Sequence, residues 1–340
     1  PYPQTRPEQD QAIDFALDAF IEQDKRFVVI EAGTGVGKSA IGFTIAQYFN
    51  QYANGMGTYY LTTQKVLQQQ YMRDFKKRGM LNLQSSTNFQ CKYYKSKTCA
   101  MARREMECTQ DNRFKQSCGG TGCRYRKAKQ DFMDGDHGVT NFSYFLAETY
   151  YAQQLTPRTM MVVDECHNTE VELSKFIEIT VSERFAKSVL KLNFPSTTTQ
   201  FQAVKWIRET YYPKAKSQLA FVEAQIEKFG DNFKTKLKEF KNVNRQYELL
   251  RGHVGKIEKF LQLYNKENWV FELIPSFNKS MRKFSFKPLD VAPYSHDSLF
   301  RLGDRVILMS ATILDKTAFC TELGINPSEA AFISIDSPFP

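Results

Sequence analysis

Between residues 31 and 39 the chain reads EAGTGVGKS, which carries the complete spacing G-x-x-x-x-G-K-[ST] at Gly33, Gly37, Lys38 and Ser39. The apolar run Phe27-Val28-Val29-Ile30 precedes it and the helix-like AIGFTIAQYF follows. The glycines, with Thr34, Gly35 and Val36 among them, therefore fall in a turn between a strand and a helix. Such a turn lets successive backbone N–H groups close around phosphate oxygens. Lys38 supplies a positive charge for the β- and γ-phosphates, and the Ser39 hydroxyl offers an oxygen to Mg²⁺. An ordinary glycine-rich turn ahead of a helix needs none of this chemistry. The expectation is an α/β domain with a mainly parallel sheet that binds a nucleoside triphosphate.

A second string completes that site. Met160-Met161-Val162-Val163 is a buried-strand pattern, and it ends in Asp164-Glu165-Cys166-His167. A carboxylate at the carboxyl end of such a strand stands where α/β sheets place ligands, so Asp164 is a candidate for Mg²⁺. Glu165, one residue on, is suited to orient or deprotonate an attacking water. Acidic turns after strands are common; the pair gains weight from the phosphate loop and from His167. A third apolar strand, VILMSATI at 306–313, ends in Ser310-Ala311-Thr312.

Five of the seven cysteines fall within a short stretch, at Cys91, Cys99, Cys108, Cys118 and Cys123. In a reducing compartment a cluster of this kind suggests a metal before disulfides. Its spacing has no paired C-x₂-C, so zinc, an iron–sulfur cluster and no metal at all stay open on chemistry alone. The same region is basic, with eleven Lys and Arg against three acids between 91 and 130, and Tyr93, Tyr94, Phe114 and Tyr125 are interleaved. Cations along a groove with rings for stacking suit a single nucleic-acid strand. A solvated basic face would give the same composition. Cys166 and Cys320 read as packing residues.

Phosphate loop, D-E-C-H and S-A-T in this order resemble a superfamily 2 helicase motor, and the intervening cysteines narrow the resemblance to the XPD/DinG-like iron–sulfur helicases. Arg6-Pro7-Glu8-Gln9 resembles the adenine-reading element of that family, with Arg6 and Gln9 as its contacts. TYYLTTQKVLQQQYMRDF (58–75), VTNFSYFLAE (139–148) and the run from Pro288 to Ile313 resemble further motor segments. The resemblance implies a RecA-like P-loop domain with a small cysteine-rich Fe–S insertion and a helical, arch-like insertion. It divides the chain into motor segments at 1–84, 136–175 and 288–340, a cluster module at 85–135 and the arch at 176–287. It implies ATP, Mg²⁺ and a [4Fe–4S] cluster as cofactors. Cys91 and Cys123 match the family's entry and exit ligands; Cys118 and Cys108 complete the set, with Cys99 as the alternative to Cys108. Lys38, Asp164, Glu165 and His167 become catalytic, and Ser310 and Thr312 couple nucleotide to DNA. Thr62 and Thr63, with Tyr93, Tyr125 and Arg126, become DNA contacts.

The implied activity is ATP-driven 5′-to-3′ movement on single-stranded, forked or duplex DNA by a monomer. Because the chain starts without Met and stops at DSPFP, the resemblance further implies a fragment without the second motor domain, slow in hydrolysis. Lys plus Arg exceeds Asp plus Glu by 9, a balance that suits a polyanionic partner. No apolar stretch approaches the roughly 18 residues of a membrane span, and the polar N-terminus has no signal-peptide core. A cytoplasmic protein is expected, nucleoid-associated if bacterial or viral. Two rivals remain: a P-loop ATPase with a structural zinc module, and a nucleic-acid-binding module without activity. Between 176 and about 285, apolar residues recur at helical spacing, with breaks expected near Gly230 and Gly252.

Overall fold

A computed structural model describes residues 4–52, 55–92, 94–104, 123–229, 237–276 and 281–337. Among them are ten strands: β1 (Phe27–Ala32), β2 (Thr58–Thr62), β3 (Met80–Leu83), β4 (His137–Asn141), β5 (Arg158–Asp164), β6 (Ile179–Ser182), β7 (Trp269–Ile274), β8 (Lys283–Pro288), β9 (Gly303–Ser310) and β10 (Ala330–Ile335). Two compact units form. The first is Pro1–Ser85, Tyr125–Phe176 and Val291–Pro340; the second is Ser86–Arg124 and Ile177–Asp290. No helix among the described residues is long and apolar enough to cross a membrane.

The first unit is the expected α/β class. Its sheet has the order β10-β1-β9-β5-β2-β4-β3, with parallel pairing throughout. Parallel strands are covered on both faces and so read as continuous apolar runs, which is how β1, β5 and β9 are written. Their side chains divide by parity. Val29, Met161, Val163, Val306 and Leu308 enter the core on one face. Val28, Ile30, Met160, Val162, Ile307 and Met309 enter the other. The second face is covered by Ala12, Ala16 and Phe20 of the helix Pro7–Ile21, Ile41 and Phe43 of Lys38–Tyr52, and Tyr71 and Phe75 of Lys65–Phe75. Each fully buried large apolar side chain contributes about 1.5–3 kcal/mol of transfer free energy.

The helix Arg124–Asp134 belongs to this unit from Tyr125 onward, whereas the sequence reading set it within the module at 85–135. The reason is its docking. Phe132 is fully buried in the first core, and the Arg158 guanidinium lies 5.4 Å from its ring. Arg158 Nη2 also donates to the Phe132 and Met133 carbonyls.

The second unit contains an antiparallel sheet, β6-β8-β7, that a reading of 176–287 as helical did not foresee. Phe286 stands opposite both Ile179 and Phe271 in register, and Phe260 packs on Phe286 and Trp269 at ring distances of 4.8 and 5.1 Å. The helices Tyr212–Phe229 and Leu237–Leu263 belong to the same unit. Gly252 does not break the second of these. A helical glycine costs about 1 kcal/mol, which the buried Leu250, Val254 and Ile257 outweigh. Gly230 lies outside the described residues.

Candidate active site

The phosphate-loop residues occupy the turn from β1 into the helix Lys38–Tyr52. Gly35 and Gly37 take φ of 86° and 94°, where a Cβ costs about 1–2 kcal/mol. At Gly37 a Cβ would also stand 2.4 Å from Gln9 Nε2. The start of the helix Pro7–Ile21 clasps the loop. Gln9 Nε2 donates to the Val36 carbonyl at 2.8 Å, and Arg6 Nη1 donates to that of Gly35 at 2.7 Å. Gln9 Oε1 in turn accepts from Arg6 N at 3.2 Å. The pair expected to read a base is therefore also what holds the loop in shape. Lys38 Nζ donates to the Ala32 carbonyl at 3.0 Å, folding back over the loop's entrance. Ser39 is half-buried beside it, and Thr34 is exposed.

Asp164 ends β5 and is buried. Its Oδ1 accepts from Glu165 N at 3.0 Å and its Oδ2 from Tyr71 Oη at 3.2 Å. Burial, and then the Glu165 charge, push this carboxyl up to about 6 against the pull of Lys38. Glu165 has φ of 55°, the left-handed region that a non-glycine residue enters at a cost of about 1–3 kcal/mol and mostly at functional sites. The turn brings Glu165 Oε2 within 3.4 Å of His167 Nδ1.

His167 joins the third string. Its Nδ1 lies 2.8 Å from Ser310 Oγ, and Asn168 Nδ2 lies 2.9 Å from its Nε2. Ser310 Oγ donates to the Thr312 carbonyl at 3.1 Å. One tautomer serves all three: Nδ1–H donates to Ser310, and Nε2 accepts from Asn168. The sheet register explains the meeting. Glu31 of β1 stands opposite Ser310 of β9, and Asp164 of β5 opposite Met309, so the three carboxyl ends lie side by side. Ligands of open α/β sheets bind at that edge. The donor set there, a hydroxyl at Ser39 and carboxylates at Asp164 and Glu165, suits Mg²⁺, which takes oxygen ligands.

Two residues of this site gave no signal in the sequence. Glu31 accepts from Ile313 N at 2.7 Å and from Ser334 Oγ at 3.1 Å, tying β1 to the segment after Ser310 and to β10. Tyr71 reaches Asp164 from a helix 93 residues earlier. The resemblance of 58–75 to a motor segment singled out its threonines and not Tyr71.

The two threonines expected to meet DNA keep their hydroxyls inside the fold. Thr62 is fully buried and its hydroxyl donates to the Gln64 carbonyl. The Thr63 hydroxyl is also buried, with no hydrogen-bond partner among the described residues. Both lie at the end of β2, where the covering helix Lys65–Phe75 begins. Tyr125 is half-buried against the core, its hydroxyl 2.7 Å from that of Tyr144; Arg126 is exposed.

In the second unit, Cys91, Cys99 and Cys123 are half-buried. Tyr94 N donates to Cys91 Sγ at 3.5 Å, and Gln90 bridges to Thr98, so Cys91 and Cys99 follow two paired positions. Among the described residues no group of three or more His, Cys, Asp and Glu gathers as a metal site. Cys108, Cys118 and Tyr93 lie outside the described residues.

Residues 3–200 match the model of the family described as type III restriction enzyme, res subunit. That span, more than half of the 340 residues, holds the phosphate loop, Asp164 to His167 and the five clustered cysteines. No curated protein matches the chain.

Proposed function

The chain belongs to the family of the type III restriction enzyme res subunit, the helicase-like motors of superfamily 2, and from that premise we propose that it is an ATP-driven DNA motor of the XPD/DinG-like kind. The observation that carries this reading is the junction at one sheet edge of the Lys38 loop, the Asp164–Glu165 pair and the His167–Ser310 hydrogen bond.

In this reading the backbone N–H groups after Gly33 receive the phosphates, and Lys38 leaves the Ala32 carbonyl to meet them. Ser39 and Asp164 would hold Mg²⁺, which would supply positive charge against the phosphate oxygens. Glu165 takes the proton of the attacking water, or orients it, from its left-handed turn. His167, sharing Nδ1 between Glu165 and Ser310, passes the state of the carboxylate to the segment ending at Thr312. Arg6 and Gln9 keep the loop open to ligand; one amide proton of Gln9 remains for a base. The exposed Arg126 and the basic composition of 91–130 suit contacts to a phosphate backbone, which position a strand without reading its sequence. The 5′-to-3′ direction rests on the family resemblance alone.

The cysteine module belongs to the same proposal. Thiolates are the ligand set of a [4Fe–4S] cluster, and Cys91 Sγ already accepts a backbone N–H, from Tyr94. Cys91, Cys123, Cys118 and either Cys108 or Cys99 would hold it, and its chemistry there would be structural, stapling a loop with little core of its own.

The test combines two measurements on the purified chain. MgATP binding and DNA-stimulated hydrolysis are expected, with binding lost in Lys38→Ala and hydrolysis alone lost in Glu165→Gln. Iron and sulfide near four each per chain are expected in anaerobic preparations. Zinc instead of iron would leave the ATPase but remove the XPD/DinG assignment, and absent nucleotide binding would overturn the motor itself.

A further inference from the structure

Tyr71 lies on the helix Lys65–Phe75 and is 1% exposed. Its ring is wedged between Tyr60 at 5.5 Å and Phe75 at 5.9 Å, and Phe75 is itself stacked on Phe43 at 4.3 Å. This aromatic packing leaves the phenol little freedom, so the hydroxyl points where the core directs it. It points at Asp164 Oδ2, 3.2 Å away. A phenylalanine would fill the same volume, and packing alone gives no reason for a hydroxyl.

The second oxygen of Asp164 is pinned as well, by Glu165 N at 3.0 Å. Two donors, one on each oxygen, fix the plane of the carboxylate at the end of β5. Each oxygen keeps a second lone pair. A phenol keeps its proton at neutral pH. It is therefore a permanent donor.

We propose that Tyr71 is a positioning residue for the nucleotide's divalent cation: its hydroxyl orients Asp164 so that the free lone pairs of that carboxylate face Mg²⁺. The proposal rests on the motor reading, since it takes Asp164 as a magnesium ligand. Hydrogen bonds to the ligands of a metal commonly govern its affinity by about 10–100-fold.

The test is nucleotide binding rather than turnover. A fluorescent ATP analogue is titrated with excess EDTA and across a range of Mg²⁺, for wild type, Tyr71→Phe, and the chain with p-aminophenylalanine at position 71, which keeps a donor there. Tyr71→Phe should leave affinity in EDTA within about twofold of wild type and raise the Mg²⁺ half-saturation about tenfold. The amino variant should restore it to within about threefold. A Mg²⁺ half-saturation unchanged in Tyr71→Phe, or raised equally in both variants, would overturn the role of the hydroxyl. A wild type that binds the analogue equally with and without Mg²⁺ would instead overturn the assignment of Asp164 beneath it.

Discussion

Replacing Asp164 by Asn should make the motor unit more stable while removing its dependence on Mg²⁺. The carboxyl is buried at the end of β5 beside Glu165 and titrates near 6, against an ordinary value of 3.8. At about 1.36 kcal/mol per pH unit, that gap corresponds to about 3 kcal/mol. The sign follows from proton binding. Folded Asp164 takes its proton below about 6 and unfolded Asp164 only below 3.8. Between those values the native state holds more protons, so stability falls as pH rises, and above about 6 the full penalty stands. Asn carries no charge at any pH and keeps both hydrogen bonds, because its oxygen can accept from Glu165 N and the Tyr71 hydroxyl can accept from its amide. The variant should gain about 1–3 kcal/mol at pH 7.5, and the gain should shrink to nothing by about pH 4. Both tryptophans, Trp206 and Trp269, belong to the second unit, so fluorescence does not follow this change. Hydrogen exchange of peptides from β1 and β5, in urea at a series of pH values, does. A variant no more stable at pH 7.5, or one whose advantage persists at pH 4, would refute the reasoning.

Three further outcomes are expected. Gly37→Ala should abolish ATP binding, since the left-handed φ strains any side chain there and the methyl group would push Gln9 Nε2, 2.4 Å away, off the Val36 carbonyl; calorimetry checks it, and affinity within threefold of wild type would contradict it. Gln9→Ala strands the buried Val36 carbonyl, a loss of about 1–3 kcal/mol, and should weaken ATP about tenfold, as measured by the same titration. His253, held near 4 by burial and then by Lys256, bonds the Tyr211 hydroxyl at 2.7 Å. Its folded value lies below the ordinary 6.5, so its contribution is complete above pH 6.5 and is lost as pH falls toward 4, by up to about 3 kcal/mol. Tryptophan fluorescence in urea should show that acid slope for the second unit, and His253→Asn should flatten it.

The chemistry of the motor was written in contiguous strings, and for that reason it was legible. EAGTGVGKS and DECH each place several functional groups within one turn, and the apolar strands before them announce a parallel sheet. What escaped depends on contacts between distant residues. Tyr71 looks like one more apolar position on a helix until the fold brings Asp164 to its hydroxyl. Glu31 is an acid among strand residues until Ile313 N arrives beside it. Thr62 and Thr63 are a different case: their resemblance to a DNA-contacting pair is local, while the burial of their hydroxyls is decided by the helix Lys65–Phe75 that starts just after them. The sheet of the second unit was missed because β6 spans only Ile179–Ser182 and Lys-rich helices dominate the composition around it. The break expected at Gly252 gave too much weight to a cost of about 1 kcal/mol, which the apolar period of 237–263 outweighs.

The strand order sets a schedule for synthesis. β1 pairs with β9 and β10, so its two edges wait for residues made about 280 and 300 positions later. At about 5–20 residues per second, completing both edges takes on the order of 15–60 s. Over that time FVVIEA is a bare apolar ribbon with every ladder hydrogen bond unmade, the profile of a segment that adheres to other nascent chains. The loop that follows it cannot acquire its shape earlier, because its glycines are anchored to a strand with no neighbours.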